Sequence, residues 1–482
     1  MKEPPTNPLR FFGGTAGALA PFGLFMAGVA WLGLSGAPDE RGFWPILVAA
    51  LVSSLALVKD RHRWAETVVD GMSRPIVMIM VMAWILAGIL GALLSASGLV
   101  GALAWGAEEL GVAGAGYAVA AFLICAVVST STGTSLGTVI LCAPLLYPPA
   151  GGLGTDPVIL MGAVLGGATF GDNISPVSDT TIASALSQGA EMGRVVRSRL
   201  RYALPAAAVA LGAFAVLGAS PRVALPEPAA GYGSAAAAAM PSPAGLPMLA
   251  VPVLVVGLLL RRRHLLEGLL VGIAAAAALG LGLGLLAPTD ILHIDVEQFG
   301  ARGLVVDGIE KALGVSVFTF FLMGMVATIE AAGVVERVVQ GAMGRTRSLP
   351  SAERWTCGAV SAVTFLTTHP TVAILTVGDF SRRLGRRFGI RAERRANLLD
   401  TTVCSWPFIV PWFIPAILAA SLTSEGPKYG LPRLSALQVG LANAHSWALL
   451  AMVILAITVG YGRGEAAPRG EGGAESPAGE GE

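Results

Sequence analysis

The sequence predicts an all-α polytopic membrane protein, with about ten transmembrane segments plus two re-entrant hairpins in two inverted-topology repeats with broken helices. Three observations predict it. Hydrophobic residues make up 54% of the 482-residue chain and charged residues 13%, with mean hydropathy +0.70, where a soluble chain carries about 25% charged residues. Apolar runs of bilayer-crossing length, about 17 to 25 residues, recur along the chain. Several of these runs are interrupted by Ser, Thr, Asp and Pro, and the interruptions come twice in the same order.

Taken in order, Lys2 and Arg10 precede the first apolar run. That run lacks a convincing small-residue cleavage site and reads as a retained helix. Spanning helices are expected near 14–34, 43–58, 75–95, 200–219, 246–260, 265–287, 313–332 and 437–461. Three stretches do not fit a plain helix. Residues 113–148 are broken by Ser129 to Ser135, 157–188 contain the run Phe170 to Thr181, and 354–423 hold two further interruptions.

The run Phe170-Gly171-Asp172-Asn173-Ile174-Ser175-Pro176-Val177-Ser178-Asp179-Thr180-Thr181 organises the rest. Pro176 cannot donate a backbone hydrogen bond and pushes Ser175 away from helical angles. A helix starting at Pro157 should therefore stop near Asp172 and restart near Ser178, a favoured N-cap residue. Broken backbone at membrane depth survives only when buried in protein or lining a wet cavity. The freed carbonyls, with Asp172, Asn173, Ser175, Ser178, Asp179 and Thr180, are expected to form half of a cation site. Two close carboxylates cannot both ionise freely, and a cation can replace the proton they share. A hard ion prefers such oxygen ligands, so Asp172 and Asp179 are the expected Na+ ligands. The plainer reading is that Ser178 and Asp179 only cap the second half-helix.

Basic clusters orient the chain by the positive-inside rule. They lie at Lys59/Arg61/Arg63/Arg74, Arg194/Arg197/Arg199/Arg201, Arg261–Arg263, Arg337/Arg345/Arg347 and Arg382 to Arg395. All five fall on one side if 113–148 and 354–381 are hairpins that leave where they entered, with both termini cytoplasmic. The expected organisation is a first repeat over 1–219 (hairpin 113–148, broken helix 157–188) and a linker over 220–245. A second repeat follows over 246–461 (hairpin 354–381, broken helix 396–423), then a disordered tail over 462–482.

The repeat itself is written in short matches. Val68-Val69-Asp70-Gly71 recurs as Val305-Val306-Asp307-Gly308, and Ser97-Gly98-Leu99-Val100 resembles Ala332-Gly333-Val334-Val335. Hydroxyl-rich breaks follow in both halves. Thr132, Thr134 and Ser135 are expected at one hairpin tip, Thr368 and His369 at the other, where half-helix dipoles face a substrate. Hydroxyls in membrane helices often only satisfy backbone. His369, with an unperturbed pKa of about 6.5, suits a proton carrier, or else a structural hydrogen bonder. Asp400 with Asn397 and Thr401 is expected as the symmetry counterpart of the opening run. The competing reading pairs Asp400 with Arg394 or Arg395. Inverted repeats with facing broken helices are a secondary-transporter signature.

Other classes fare worse. A net charge of +1 with clustered basic residues gives no footing for nucleic acid. The four cysteines lie singly in apolar runs without CxxC spacing. A GxxxxGK[ST] loop is missing, which disfavours transport driven by ATP, and no His/Glu metal spacing accompanies the aspartates, which disfavours an enzyme.

The Phe170–Thr181 run, the stretch Thr132-Gly133-Thr134-Ser135-Leu136-Gly137-Thr138 and the later Pro411-Trp412 resemble NhaC-type sodium/proton antiporters, within the larger ion transporter superfamily. The resemblance covers roughly 60–190 and 300–415, and Asp172, Ser175, Ser178, Asp179 and Thr180 carry over directly. It implies paired re-entrant hairpins, a homodimer, an elevator-like transport domain, and exchange of sodium for protons or, in some members, of organic anions. The expectation is a secondary transporter of the bacterial inner membrane, exchanging cytoplasmic sodium for external protons. Its partners would be the bilayer, small cations and a second copy. It would have no cofactor besides the transported ions, and a sodium- or proton-coupled carrier of a small carboxylate or amino acid is the alternative.

Overall fold

The computed structural model describes residues 8–34, 42–176, 178–219, 242–261, 263–295, 300–335, 337 and 346–463. Most of the expected linker (220–241), most of the expected tail (464–482), Val177, Arg262 and Arg345 lie outside the described residues.

The described chain is almost entirely helical. Helices α1 (Gly14–Leu34), α2 (Phe43–Leu57) and α4 (Pro75–Ala96) fall within two residues of the sequence expectation. Pro75 sits at the first helical position of α4, where its missing N–H costs nothing. Two further helices are additions to that reading. In α3 (Arg61–Met72) the Asp60 side chain caps the start by accepting from the Arg63 N–H at 3.1 Å, and α5 (Leu99–Glu109) follows Gly98. Next come α6 (Ala115–Thr132), α7 (Ser135–Leu146), α8 (Pro157–Ile174), α9 (Asp179–Gln188) and α10 (Met192–Leu217). The second half contains α11 (Ala250–Leu260), α12 (Leu265–Gly282) and the single turn α13 (Pro288–Ile291). A two-stranded antiparallel ribbon, β1 (His293–Asp295) and β2 (Gly300–Arg302), leads into α14 (Leu304–Ala331). Then come α15 (Leu349–Thr367), α16 (Pro370–Phe388), α17 (Ala392–Val403), α18 (Ile414–Ser421), α19 (Ala436–Ala442) and α20 (Ala444–Thr458).

Among the described residues, 7 helices are long and apolar enough to cross a membrane, and the pair α19–α20, bent by 58°, makes up to 8. The sequence reading expected ten because it counted α2 and α11, which at 15 and 11 residues are shorter than a full span, and the second broken helix, whose halves are short; conversely α6, which that reading placed in a hairpin, is one of the 7. The 242–249 part of the chain is structured as well. A 3-10 turn over Pro243–Leu249 packs on α5, with Gly245 against the backbone of Gly98 and Leu99.

One spacing runs through the elements. Gly98 and Gly333, both with positive φ, are 235 positions apart (333 − 98 = 235). The same offset takes the end of α4 to the end of α14, Gly133 to Thr368, the starts of α7, α8 and α9 to those of α16, α17 and α18, and Pro176 to Pro411. Helices α4 and α14 lie side by side in opposite directions. Arg74, just before α4, pairs with Glu330 near the end of α14 at 2.5 Å. The glycines of the two Val-Val-Asp-Gly copies sit at reciprocal crossings, Gly71 against Met323 and Gly324, Gly308 against Gly88 and Ile89. A Cβ at either position would run into facing backbone, so the small residue sets the helix separation.

Candidate functional site

Four interruptions of helix meet at one place. In the first half α6 ends on Gly133 (φ 70), and Thr134 caps α7 by accepting from the Gly137 N–H at 3.1 Å. Its counterpart break is tighter. Helix α15 ends on Thr368 (φ 53), the only non-glycine residue with positive φ among the described residues, and α16 restarts at Pro370. Holding a β-branched residue there costs on the order of 1–3 kcal/mol, a strain that surrounding structure must impose. Helix α8 stops at Ser175, which has extended angles as the residue before Pro176 must, and α9 starts at Asp179. The fourth break runs from Cys404 through a 3-10 turn at Trp406–Phe408 to α18.

These breaks wall a cavity of ≈ 340 Å³. Thr134 and Ser135 from the first tip, Asp172, Asp179 and Thr180 from the broken helix, and Thr368 and His369 from the second tip reach it, with Trp84 and Met80 of α4 as apolar wall. The starts of α7, α9 and α16 all face this space, so three partly positive half-helix ends converge on it.

Asp172 is 5% exposed. Its Oδ2 accepts from Ser135 Oγ at 2.8 Å and its Oδ1 from Ser178 Oγ at 2.6 Å, so a hydroxyl from the hairpin tip and one from its own break hold it. Ser178 Oγ also lies 3.0 Å from Thr180 Oγ1. Each carboxylate oxygen keeps a free lone pair after one bond, as does each hydroxyl oxygen, which leaves several oxygens able to bind a hard cation. Asp179 is exposed to the cavity, and Thr371 of the second tip donates to its Oδ2. The two aspartates thus tie the broken helix to the α6–α7 and α15–α16 breaks, one each.

Helix α8 can bring Asp172 here because it rides on the backbone of α6. Gly171 lies against Thr130 N, Ser129 and Ala126 O, and Ser129 Oγ donates to Ala168 O at 2.6 Å.

Apart from His369, the other expected site residues lie outside the cavity wall. Thr132 Oγ1 and Thr401 Oγ1 are buried without a hydrogen-bond partner among the described residues, as are both side-chain polar atoms of Asn173. Ser175 is buried at the end of α8. His369 lines the cavity with Nδ1 buried and unpartnered. Asp400 departs most from expectation. The 235-residue offset sets Pro407, not Asp400, opposite Asp172 (407 − 172 = 235), so the second half carries no carboxylate there. Asp400 is instead fully buried in an ion pair with Arg199, neither side chain exposed, and accepts from Thr181 Oγ1 at 3.0 Å. Neither Arg394 nor Arg395 is its partner. Arg394 binds Glu353 at 3.0 Å and Arg395 binds Gln188 at 3.0 Å.

Arg199 is the residue that sequence reasoning missed. Besides Asp400, it donates to Asn173 O (2.6 Å), Thr181 Oγ1 (2.7 Å) and Asn397 Oδ1 (3.1 Å), pinning the end of α8 to α9 and α17. The basic cluster hid it. Arg194, Arg197 and Arg201 share one face at i, i+3, i+7, whereas Arg199 is about 200° away from Arg197 around the helix and faces inward. That phase difference was the available signal.

With this geometry in view, residues 19–219 match the model of the Na+/H+ antiporter family. Three curated proteins match parts of the chain. The Na(+)/H(+) antiporter NhaC of Alkalihalophilus pseudofirmus is 31% identical over 179 residues, 36% of this chain and 38% of that protein. The malate-2H(+)/Na(+)-lactate antiporter of Bacillus subtilis is 34% identical over 102 residues, 21% and 22% of the two chains. An uncharacterized Na(+)/H(+) antiporter of Haemophilus influenzae is 33% identical over 100 residues, 21% of each. The chain spans less than two-fifths of the length of each relative it matches. The resemblance to NhaC-type antiporters is therefore supported by a family match confined to the first half.

Proposed function

We propose that this chain is a secondary transporter that exchanges sodium for protons, with Asp172 and Asp179 binding the two ions in competition. One observation carries it: two carboxylates from one broken helix share a cavity walled by all four helix breaks. Buried membrane carboxylates are costly and usually functional. Asp172 is also pre-set for a cation, because Ser135 and Ser178 already point hydroxyl oxygens at it. In one state the carboxyls hold a proton. Sodium entering the cavity takes their oxygens with the neighbouring hydroxyls and releases it. His369, whose ring also faces the cavity, is positioned to relay the proton.

The fixed 235-residue offset and the antiparallel packing of α4 against α14 support the reading of two inverted-topology repeats, with 113–148 and 354–381 as re-entrant hairpins. In that reading the hairpins and broken helices form a transport domain that moves, elevator-like, against a scaffold built around α4 and α14. The basic faces are cytoplasmic, the membrane is the bacterial inner membrane, and a second copy completes a homodimer.

A second reading is favoured by size. A cavity of ≈ 340 Å³ exceeds several-fold the roughly 30 Å³ share of one water molecule, and three half-helix N-termini facing it suit an anion. A small organic carboxylate carried with sodium or protons fits that space. Counterflow separates the two readings. Proteoliposomes loaded with unlabelled sodium should take up ²²Na+ against a pH gradient with no organic acid present. Uptake that requires lactate or malate would transfer the function to the carboxylate reading, and uptake unaffected by Asp172→Asn would remove the site.

A further inference from the structure

A second cavity, away from the aspartates, is built from charge. It has a volume of ≈ 370 Å³ and lies among the start of α10, the start of α17 and the segment that follows α20. Arg194, Arg197, Arg201, Arg391, Arg394 and Arg463 line it, together with one carboxylate, Glu393. Positive-inside topology accounts for basic residues on this face of the protein. It does not require six of them, from three separated segments, to converge on one concave space.

The local pairing leaves charge to spare. Arg394 is consumed by structure: it binds Glu353 at 3.0 and 3.2 Å, the Tyr202 hydroxyl at 2.5 Å, and the carbonyls of Tyr461 and Ala456. Arg463 shares that same Glu353 carboxylate at 2.8 Å. Arg194 binds Glu191 at 2.7 Å, and both Arg194 (3.8 Å) and Arg391 (3.9 Å) only approach Glu393. Arg201 donates to the Gly462 carbonyl at 3.3 Å, and Arg197 has no carboxylate partner among the described residues. Among the described residues, six guanidinium groups thus face three carboxylates, Glu191, Glu353 and Glu393. The two without a counter-charge among the described residues, Arg197 and Arg201, lie four residues apart on one helix face, where they can grip one group together.

We propose that this cavity binds a phosphate-bearing anion, through Arg197 and Arg201 as the gripping pair and Arg391 and Arg463 as its flanks. Planar guanidinium forks match phosphate oxygens with paired hydrogen bonds. The site also has a route to the ion-binding region. Asn397 lines it, donates to Ser198 at 2.7 Å and accepts from Arg199, the partner of Asp400. An anion drawn in here pulls on the residue that orients Arg199.

The phosphate has two sources, a lipid headgroup in the adjoining leaflet or free phosphate in solution. The test measures thermal unfolding of the full chain in detergent with two pairs of additives. One is sodium phosphate against sodium chloride at matched ionic strength, the other phosphatidylglycerol against phosphatidylcholine in mixed micelles. Stabilisation by phosphatidylglycerol alone assigns the site to a headgroup. Stabilisation by inorganic phosphate as well assigns it to the free anion. In either case R197Q/R201Q should weaken the apparent affinity about tenfold or more per guanidinium removed, while R386Q/R387Q, on an exposed basic helix end outside the cavity, should not. R197Q alone, which breaks no side-chain bond to the described residues, guards against a folding defect in the double variant. No stabilisation by either additive overturns the proposal, and so does stabilisation that survives R197Q/R201Q or falls equally in R386Q/R387Q.

Discussion

The buried pair Arg199–Asp400 allows the most quantitative prediction. Both side chains have no solvent exposure. Removing one partner of such a pair costs about 3–5 kcal/mol, because the other charge is left buried and uncompensated. The structure makes the two removals unequal. In D400N the guanidinium keeps Asn173 O, Thr181 and Asn397 as acceptors but loses its counter-charge, and it cannot shed its proton. That variant should sit near 5 kcal/mol. In R199M, Asp400 keeps donors from Thr181 and Cys404, and a carboxyl can neutralise itself by taking a proton, so the loss should sit near 3 kcal/mol. The double variant R199M/D400N removes both charges and replaces them with groups of similar volume. It should be more stable than D400N alone, giving a coupling of roughly 3 kcal/mol or more of the favourable sign. The assay is unfolding in mixed detergent micelles followed by tryptophan fluorescence, for all four corners of the cycle. If D400N unfolds like the wild type, or the two losses simply add, the pair is not the buried clamp described above.

Three further outcomes follow from single contacts. Gly171→Ala puts a Cβ into the backbone of α6 at Ala126 and Thr130; it should cost about 1–3 kcal/mol of stability, read as a lower melting temperature. Thr368→Gly relieves the left-handed strain and should leave stability equal or raise it by about 1 kcal/mol, while slowing transport because the tip is no longer held. Ser135→Ala removes a 2.8 Å hydrogen bond to Asp172 and a hydroxyl oxygen beside it; a bond to a charged group is worth about 1.5–3 kcal/mol, so the melting temperature should fall and the half-saturating sodium concentration should rise roughly tenfold or more.

The legible parts of the sequence were those where one residue has few conformational choices. Pro75, Pro157, Pro176 and Pro370 mark helix starts or stops because their rings fix the backbone, and each did so in the structure. The hydroxyl runs located two of the helix breaks, at Gly133/Thr134 and Thr368/His369. Helix α3 was hidden because its mixed polar and apolar sequence gives no spanning run, although Asp60 three residues before Arg63 is a cap signal that could have been used. The hydrogen-bonded group of Asp172, Ser178 and Ser135 was legible from its chemistry and from the family resemblance. Arg199 was not, because a basic residue in a basic cluster reads as surface until its helical phase is counted. Asp400 was misread as a counterpart of the opening run because composition, not spacing, suggested the match. The constant offset from Gly98/Gly333 to the starts of α9 and α18 corrects it.

Competition for the same oxygens can be watched without any membrane. Purified protein in lightly buffered detergent solution, with a pH-reporting dye, is mixed with sodium chloride and, separately, with choline chloride. The account predicts that sodium, and not choline, releases protons from the wild type, that Asp172→Asn abolishes the release, and that the released amount falls as the starting pH is raised. Sodium binding without proton release, or a release unchanged in Asp172→Asn, would contradict it.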